Sequence, residues 1–324
     1  MQRTKIRLYS TLTLLLMLLA LPASLTAAQK DKGKEKGNAA NLPEVIWRDP
    51  GDVASLNLLY GAGGKEHAPD ANGKFTFVKE DKQGTSPKFD IKDEQGVQWK
   101  VKLGQEPQSE TAATRLLWAA GYFVDEDYYL AEFKVAGMPK LGRGSNFVSA
   151  DGTVHKARLE RKPKGVKKLG DWGWFDNPFL NKRELNGLRI MMSLLNNWDL
   201  KRVNNSIYEV DGERRYVVSD VGGTLGNTGN RLSRSKSDSK EYANSKFIGK
   251  SGPDFVDFVL HARSDMEKVT QHIPRADVKW LAQRLSQLSE EQIRDCFRAG
   301  GYAPEDVTVY TEAVRKRIAE LAAL

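Results

Sequence analysis

The sequence predicts an α+β chain that fills one large domain or two lobes, with antiparallel strands over residues 44–136 and a larger, mostly helical part over 137–324. Three observations predict it. Residues 73–104 alternate apolar and polar side chains in three short runs separated by glycine-bearing links. Four segments near the carboxyl end carry apolar residues at helical spacing. Between them, "SIYEV" and "RRYVVSD", joined by "DGE", read as a β-hairpin.

The first element is not part of either lobe. Residues 1–28 open with Arg3, Lys5 and Arg7, continue as an apolar run and end in small residues near Ala28. That is the layout of a secretory signal peptide. Its apolar core is shorter than the ~20 residues a spanning helix needs. A cleaved leader implies a secreted or periplasmic protein, and an uncleaved one a membrane-anchored protein. Loss of the three basic residues takes the net charge from +8 to +5, too small an excess to point to nucleic acid. Residues 29–43, containing "KDKGKEKGNAANLP", are polar and without apolar period, and read as a flexible linker. Cys296 is the single cysteine, so no intrachain disulfide can form and the core alone must hold the fold.

The small lobe rests on "FTFVKE", "KFDIKD" and "VQWKVKL". In the third run Val97, Trp99, Val101 and Leu103 share one face and Gln98, Lys100 and Lys102 the other. "PQSETAATRLLWAAGY" follows, with Ala113, Leu116, Leu117 and Ala120 at helical spacing, Ser109 as a natural N-cap and Glu110 in the first turn. A helix there brings Glu110 against Lys100 or Lys102. A buried Lys–Glu pair costs too much desolvation to be explained by stability alone, but it suits an ammonium held still to meet a phosphate. "DKQGTSP" links the first two strands, and Gly84, Thr85 and Ser86 offer amides and hydroxyls to phosphate oxygens; as a motif it is weak. "YGAGGKEHAP" is no Walker A loop, because Glu66 stands where Ser or Thr is required.

In the large lobe, "KRELNGLRIMMSLLNNW" puts Leu185, Leu188, Met192 and Leu195 on one helical stripe. Asp199, Lys201 and Asn204 follow, then the hairpin, then Asp220, Val221 and Gly222. Residues 222–254 are rich in Gly, Ser, Asn, Arg and Lys and read as a long loop, whose basic residues suit an anionic substrate. Trp172, Trp174 and Phe175 read as packing residues, with stacking on a sugar or base as the alternative. The tail segments "FVDFVLHARSD", "PRADVKWLAQRLSQLS", "SEEQIRDCFRAGGY" and "DVTVYTEAVRKRIAELAAL" predict helices, with Ser289 and Gln292 as a capping box and Cys296 buried. The four histidines have no paired spacing, so no zinc site is expected.

"DLKRVN" resembles the catalytic loop of protein kinases, in which Asp-Leu-x-x-x-x-Asn follows a helix, and "DVG" resembles the Asp-Phe-Gly segment. The order of helix, loop, hairpin and Asp is similar to the kinase carboxyl-terminal lobe; the meander, lysine and helical glutamate are similar to the amino-terminal lobe. The chain thus resembles a divergent, secreted member of the protein kinase-like superfamily over residues 73–225 and a helical tail. Its lysine strand reads "WKVK" rather than "VAIK", and it departs from the pattern in three further places. Asn197 and Trp198 replace His-Arg before Asp199, the Gly-rich loop is nearly absent, and no Ala-Pro-Glu follows Asp220.

The resemblance implies a two-lobed kinase-like fold and a role for each residue. Lys102, or Lys100, contacts the phosphates of ATP or another nucleotide and Glu110 orients it, with Thr85 and Ser86 beside them. Asp220 and Asn204, or Asn205 in its place, hold Mg²⁺ or Mn²⁺. Asp199 accepts the proton of an attacking hydroxyl and Lys201 neutralises the moving phosphoryl group. The implied activity is phosphoryl or nucleotidyl transfer to a protein, glycan or lipid hydroxyl by a monomer with no nucleic-acid partner. The alternatives are a non-catalytic kinase-like module of the cell envelope and a basic envelope protein that binds acidic polymers through residues 222–254.

Overall fold

Alternation in residues 73–104 builds strands that roll into a closed barrel. The computed structural model describes residues 42–229, 232–262 and 264–324. The expected leader (1–28) lies outside the described residues, as does the linker (29–43) apart from Leu42 and Pro43. No helix among the described residues is long and apolar enough to cross a membrane.

A short strand, β1 (Glu44–Val45), comes first. The three expected strands are β2 (Phe75–Asp81), β3 (Lys88–Asp93) and β4 (Gln98–Lys102), followed by helix α1 (Glu106–Ala119). Strands β5 (Asp127–Ala136) and β6 (Thr153–Lys162) complete a barrel of order β2-β3-β4-β6-β5. Its pairs are antiparallel except β2 with β5, which closes it in parallel. Side chains alternate across a strand, so Phe89, Ile91, Trp99, Val101 and Leu159 join Phe75 and Phe133 in the apolar barrel core. The register sets Lys88 opposite Lys102, Lys100 opposite Glu160, and Lys102 opposite Arg158, all on the other face.

The larger lobe begins with β7 (Lys167–Gly170), α2 (Arg183–Leu194) and the hairpin β8 (Asn205–Val210) with β9 (Glu213–Val218). Asp211 and Gly212 turn the hairpin with φ of 52° and 75°, the two positive values a type I′ turn requires. These strands form a sheet of order β1-β9-β8-β7. Then come α3 (Ser239–Asn244), β10 (Ile248–Ser251), β11 (Phe255–Phe258), β12 (Ile273–Pro274), α4 (Arg275–Leu285), α5 (Glu290–Ala299) and α6 (Pro304–Ala322). A second apolar core gathers Leu188, Met191, Leu281, Phe297, Tyr310 and Leu321, and α1 adds Leu116 and Leu117 to it. The architecture is α+β, a sheet lobe followed by a mostly helical one.

The structure departs from the sequence expectations at several points. The barrel does not end at 136, since β6 belongs to it, and β1 pairs with β9 rather than with the barrel. Helix α1 starts three residues before Ser109, because Pro107 needs no backbone N–H partner in a first turn. "FVDFVLHARSD" contains strand β11, where Val256 and Phe258 are buried and Phe255 is exposed, a period of two rather than 3.6. The 222–254 stretch carries α3, capped by Asp238, and β10. Its anchor is Tyr242, fully buried and donating its hydroxyl to the Leu194 carbonyl at 2.7 Å. Trp172, Trp174 and Cys296 are buried, and the Ser289–Gln292 capping box opens α5.

Candidate active site

Strand β4 delivers Lys102 because Val101 and Leu103 face the barrel core. Gly104 ends the strand with a φ of 108°, a conformation open to glycine and strained for other residues. Helix α1 then sets Glu106 and Glu110 one turn apart on one face. The Lys102 Nζ lies 2.8 Å from Glu110, 3.2 Å from Glu106 and 3.2 Å from Asp220. Lys102 is 3% exposed and Glu110 0%. Burial works against the ammonium, but Glu110, Asp220 and Glu106 outweigh it, and the Lys102 pKa is raised. Arg158 lies behind the pair on β6, 3.2 Å from Glu110, 2.6 Å from Asp127 and 2.9 Å from Glu160. Glu110 is thus clamped between two cations in a fully buried setting.

Glu106 ties three segments together. Its carboxylate accepts from Ser86 Oγ at 2.8 Å and from Lys236 Nζ at 2.6 Å. Burial would raise its pKa, but the ammoniums of Lys102 and Lys236 and the two hydrogen bonds hold it at about 2.

The second half of the site is built by the loop after α2. The Asp199 amide donates to Asn197 Oδ1 at 3.2 Å. Asn204 Nδ2 donates to the Asp199 carbonyl at 2.7 Å, which spends its amide nitrogen and leaves its oxygen as an acceptor. The Asn204 carbonyl accepts from the amides of Ser219 at 2.8 Å and Asp220 at 3.1 Å. The loop and the Asp-Val-Gly segment are therefore joined at Asn204. Lys201 Nζ lies 2.8 Å from the Asp199 carboxylate. The Asp220 side chain is 43% exposed, with one oxygen toward Lys102.

The Asp-Val-Gly segment is also fastened to α1. Ser109 Oγ donates to the Gly222 carbonyl at 3.0 Å. A Cβ at Gly222 would stand 2.7 Å from Glu106 Cβ, so only glycine lets the two approach.

No family model matches the chain, and no curated protein does. The chain is similar to solved structures of kinases, three of which are as follows. One is the proinflammatory kinase CtkA of Helicobacter pylori, with 12% identity, a TM-score of 0.42, and coverage of 77% of this chain and 94% of that one. Another is the Golgi casein kinase, with 9% identity, a TM-score of 0.45, and coverage of 78% and 73%. The same kinase with Mn and ADP bound gives 10%, 0.43, and 78% and 72%.

Of the residues singled out from the sequence, Lys102, Glu110 and Asp220 meet one another, and Asp199, Lys201 and Asn204 form a second group joined to Asp220. Lys100 does not join them and pairs with Asp81 at 3.1 Å. Thr85 is exposed and Ser86 turns to Glu106 rather than outward. Asn205 is buried with its amide nitrogen on the Trp172 carbonyl at 3.0 Å, and its side-chain oxygen, buried and without a hydrogen-bond partner, is left as an acceptor like that of Asn204. Sequence reasoning missed Glu106 and Arg158, and read Lys236 only as one of the loop's basic residues suited to an anionic substrate, whereas it pairs with Glu106. Glu106 was legible, since it stands four residues from both Lys102 and Glu110; Arg158 and Lys236 carried no local signal.

The carboxylates of Glu106, Glu110 and Asp220 each offer an oxygen within 4.8 Å of the others. The Lys102 ammonium already sits among them and offsets part of their charge. The half-exposed Asp220 carboxylate and the side-chain oxygen of Asn204 would offer a divalent cation oxygen donors, the type that Mg²⁺ and Mn²⁺ take.

Proposed function

We propose that this chain is an exported phosphotransferase that uses a metal–nucleotide to modify a hydroxyl on a protein, glycan or lipid. One observation carries the reading: the buried Lys102–Glu110 pair reaches Asp220, and Asp220 is bonded through Asn204 to Asp199. Neither core of the fold needs these groups to converge, and phosphoryl transfer does, because it is mostly positioning and charge neutralisation.

Asp220 and Asn204 would hold Mg²⁺ or Mn²⁺, which when bound neutralises charge on the nucleotide phosphates. Asp199 takes the proton of the acceptor hydroxyl as its oxygen bonds to the terminal phosphorus. The bond from that phosphorus to the bridging oxygen breaks and the nucleoside diphosphate leaves. Lys201, 2.8 Å from Asp199, offsets charge on the moving group. Glu110 and Arg158 keep Lys102 in place on the barrel side.

The test is thermal unfolding of the protein with ATP, with and without Mg²⁺ or Mn²⁺, beside Asp220→Ala. A ligand that binds only the folded state raises the melting temperature. A metal-dependent rise that Asp220→Ala abolishes supports the reading. No rise with any nucleotide at millimolar concentration removes it.

A further inference from the structure

The loop that should cover the donor phosphates has a single glycine, and Lys102 has no proton to spare. An ammonium has three N–H donors, and three carboxylates surround this one at 2.8, 3.2 and 3.2 Å. Lys88 stands directly opposite it in the β3–β4 register. The two lysines therefore share one face of the barrel, and like charges directly opposite each other oppose folding. The cross-strand neighbour of Lys88 on β2 is Asp81. That carboxylate turns to Lys100 at 3.1 Å and to the Gln83 amide at 3.0 Å. Among the described residues Lys88 has neither an ion pair nor a side-chain hydrogen bond, although it is half-buried.

Its position is equally specific. A Cβ on Gly84 would lie 3.4 Å from Lys88 Nζ, so the ammonium sits against the one glycine of the 82–87 link. Arg143 pins that link by donating to the Gly84 carbonyl at 2.7 Å and to the Asp81 carbonyl at 3.3 Å. Burial lowers the Lys88 pKa, Asp81 opposes this, Lys102 and Lys100 add to it, and Asp220 opposes it. The ammonium thus feels the charges of both Lys102 and Asp220. A half-buried cation with no carboxylate of its own, facing a second cation, is a poor device for stability and a good one for binding an anion.

We propose that Lys88, rather than Lys102, is the side chain that binds the terminal phosphates of the donor, with Gly84 leaving room for them. Lys102 then serves to hold Glu106, Glu110 and Asp220 in place. This rests on the phosphotransferase reading.

The experiment measures melting temperature against Mn-ATP and Mn-tripolyphosphate for the wild type, Lys88→Gln and Lys88→Arg. Tripolyphosphate has the phosphates without the base. Loss of one charge-assisted hydrogen bond predicts about tenfold or more weaker binding of both ligands by Lys88→Gln. Lys88→Arg should bind within a few-fold of wild type. Unliganded Lys88→Gln should melt no lower than wild type, since a repulsion has been removed. Equal binding by wild type and Lys88→Gln overturns the assignment of Lys88 and leaves the phosphotransferase reading standing. Binding of ATP but not tripolyphosphate by the wild type also overturns it, because recognition would then rest on the base. No binding of either ligand by the wild type removes both readings. If Lys88→Gln does not fold, Lys88→Met, which keeps the aliphatic stem, takes its place in the same comparison.

Discussion

Glu106 accepts a hydrogen bond from Lys236 at 2.6 Å across 130 residues of sequence, and the same carboxylate lies 3.2 Å from Lys102. One side chain thus joins the first turn of α1, the end of β4 and the segment that follows Asp220. Measurable consequences follow for Glu106 and for the groups around it.

The first is a pH dependence. The folded pKa of Glu106 is about 2 against an ordinary 4.5. A depressed carboxylate adds stability that is present above the unfolded value and lost as pH falls through the folded one. The stability difference between wild type and Glu106→Gln should be full above about pH 4.5 and shrink between pH 4.5 and 2. Its size should be of the order of 3 kcal/mol. Urea unfolding of both proteins across this range reads it; a difference that does not change with pH would contradict the assignment.

Lys102 and Lys100 sit two residues apart on one strand face and should behave differently. Lys102→Met removes the ammonium that three carboxylates share and should cost about 3–5 kcal/mol. Lys100→Met breaks a partly exposed pair with Asp81 and should cost about 1 kcal/mol or less. Equal losses in chemical denaturation would show that the Lys102 cluster is not the desolvated network described.

Gly222→Ala should destabilise by about 1–3 kcal/mol, because the new Cβ meets Glu106 Cβ at 2.7 Å. It should also weaken the metal–nucleotide shift, since α1 and Asp220 must part. Gly223→Ala, whose Cβ would lie 3.2 Å from Asp199 Cβ, should do less to the fold. Parallel melting curves with and without Mn-ATP separate the two effects, and a wild-type-like Gly222→Ala would refute the packing argument.

Asp199→Asn keeps the side chain's size and removes its capacity to take a proton. Transfer from labelled ATP should fall by about 10²–10⁴-fold, while the nucleotide-dependent melting shift is retained. Retained turnover would assign the proton to another group.

Much of the site was legible in the sequence because its spacing follows from local geometry. Alternation along β4 determines that Lys102 leaves the barrel when Val101 and Leu103 enter it. Helical phase determines that Glu110 returns to the strand end. Asp199, Asn204 and Asp220 are brought together by a short loop and a tight hairpin, and all three features have sequence signatures. Glu106 was overlooked because Ser109, a good capping residue, competed with Pro107 as the marker of the helix start, and the proline marked the earlier turn. Tyr242 was overlooked because a single buried aromatic in a polar stretch has no period.

The sequence by itself determined which side chains face which way within each strand and helix, and so the set of groups available to a phosphate-handling site. The tertiary structure alone decided which of them are desolvated and which are paired. Arg158 reaches Glu110 only because β6 pairs with β4 across a long connection. Lys236 reaches Glu106 only because the segment after Asp220 folds back on α1. Asp81 stands opposite Lys88 in the strand register but pairs with Lys100, and among the described residues Lys88 has no ion pair. Orientation is a short-range property, set by the period of the backbone. Burial and charge pairing depend on distance in space, and only the folded chain determines that distance.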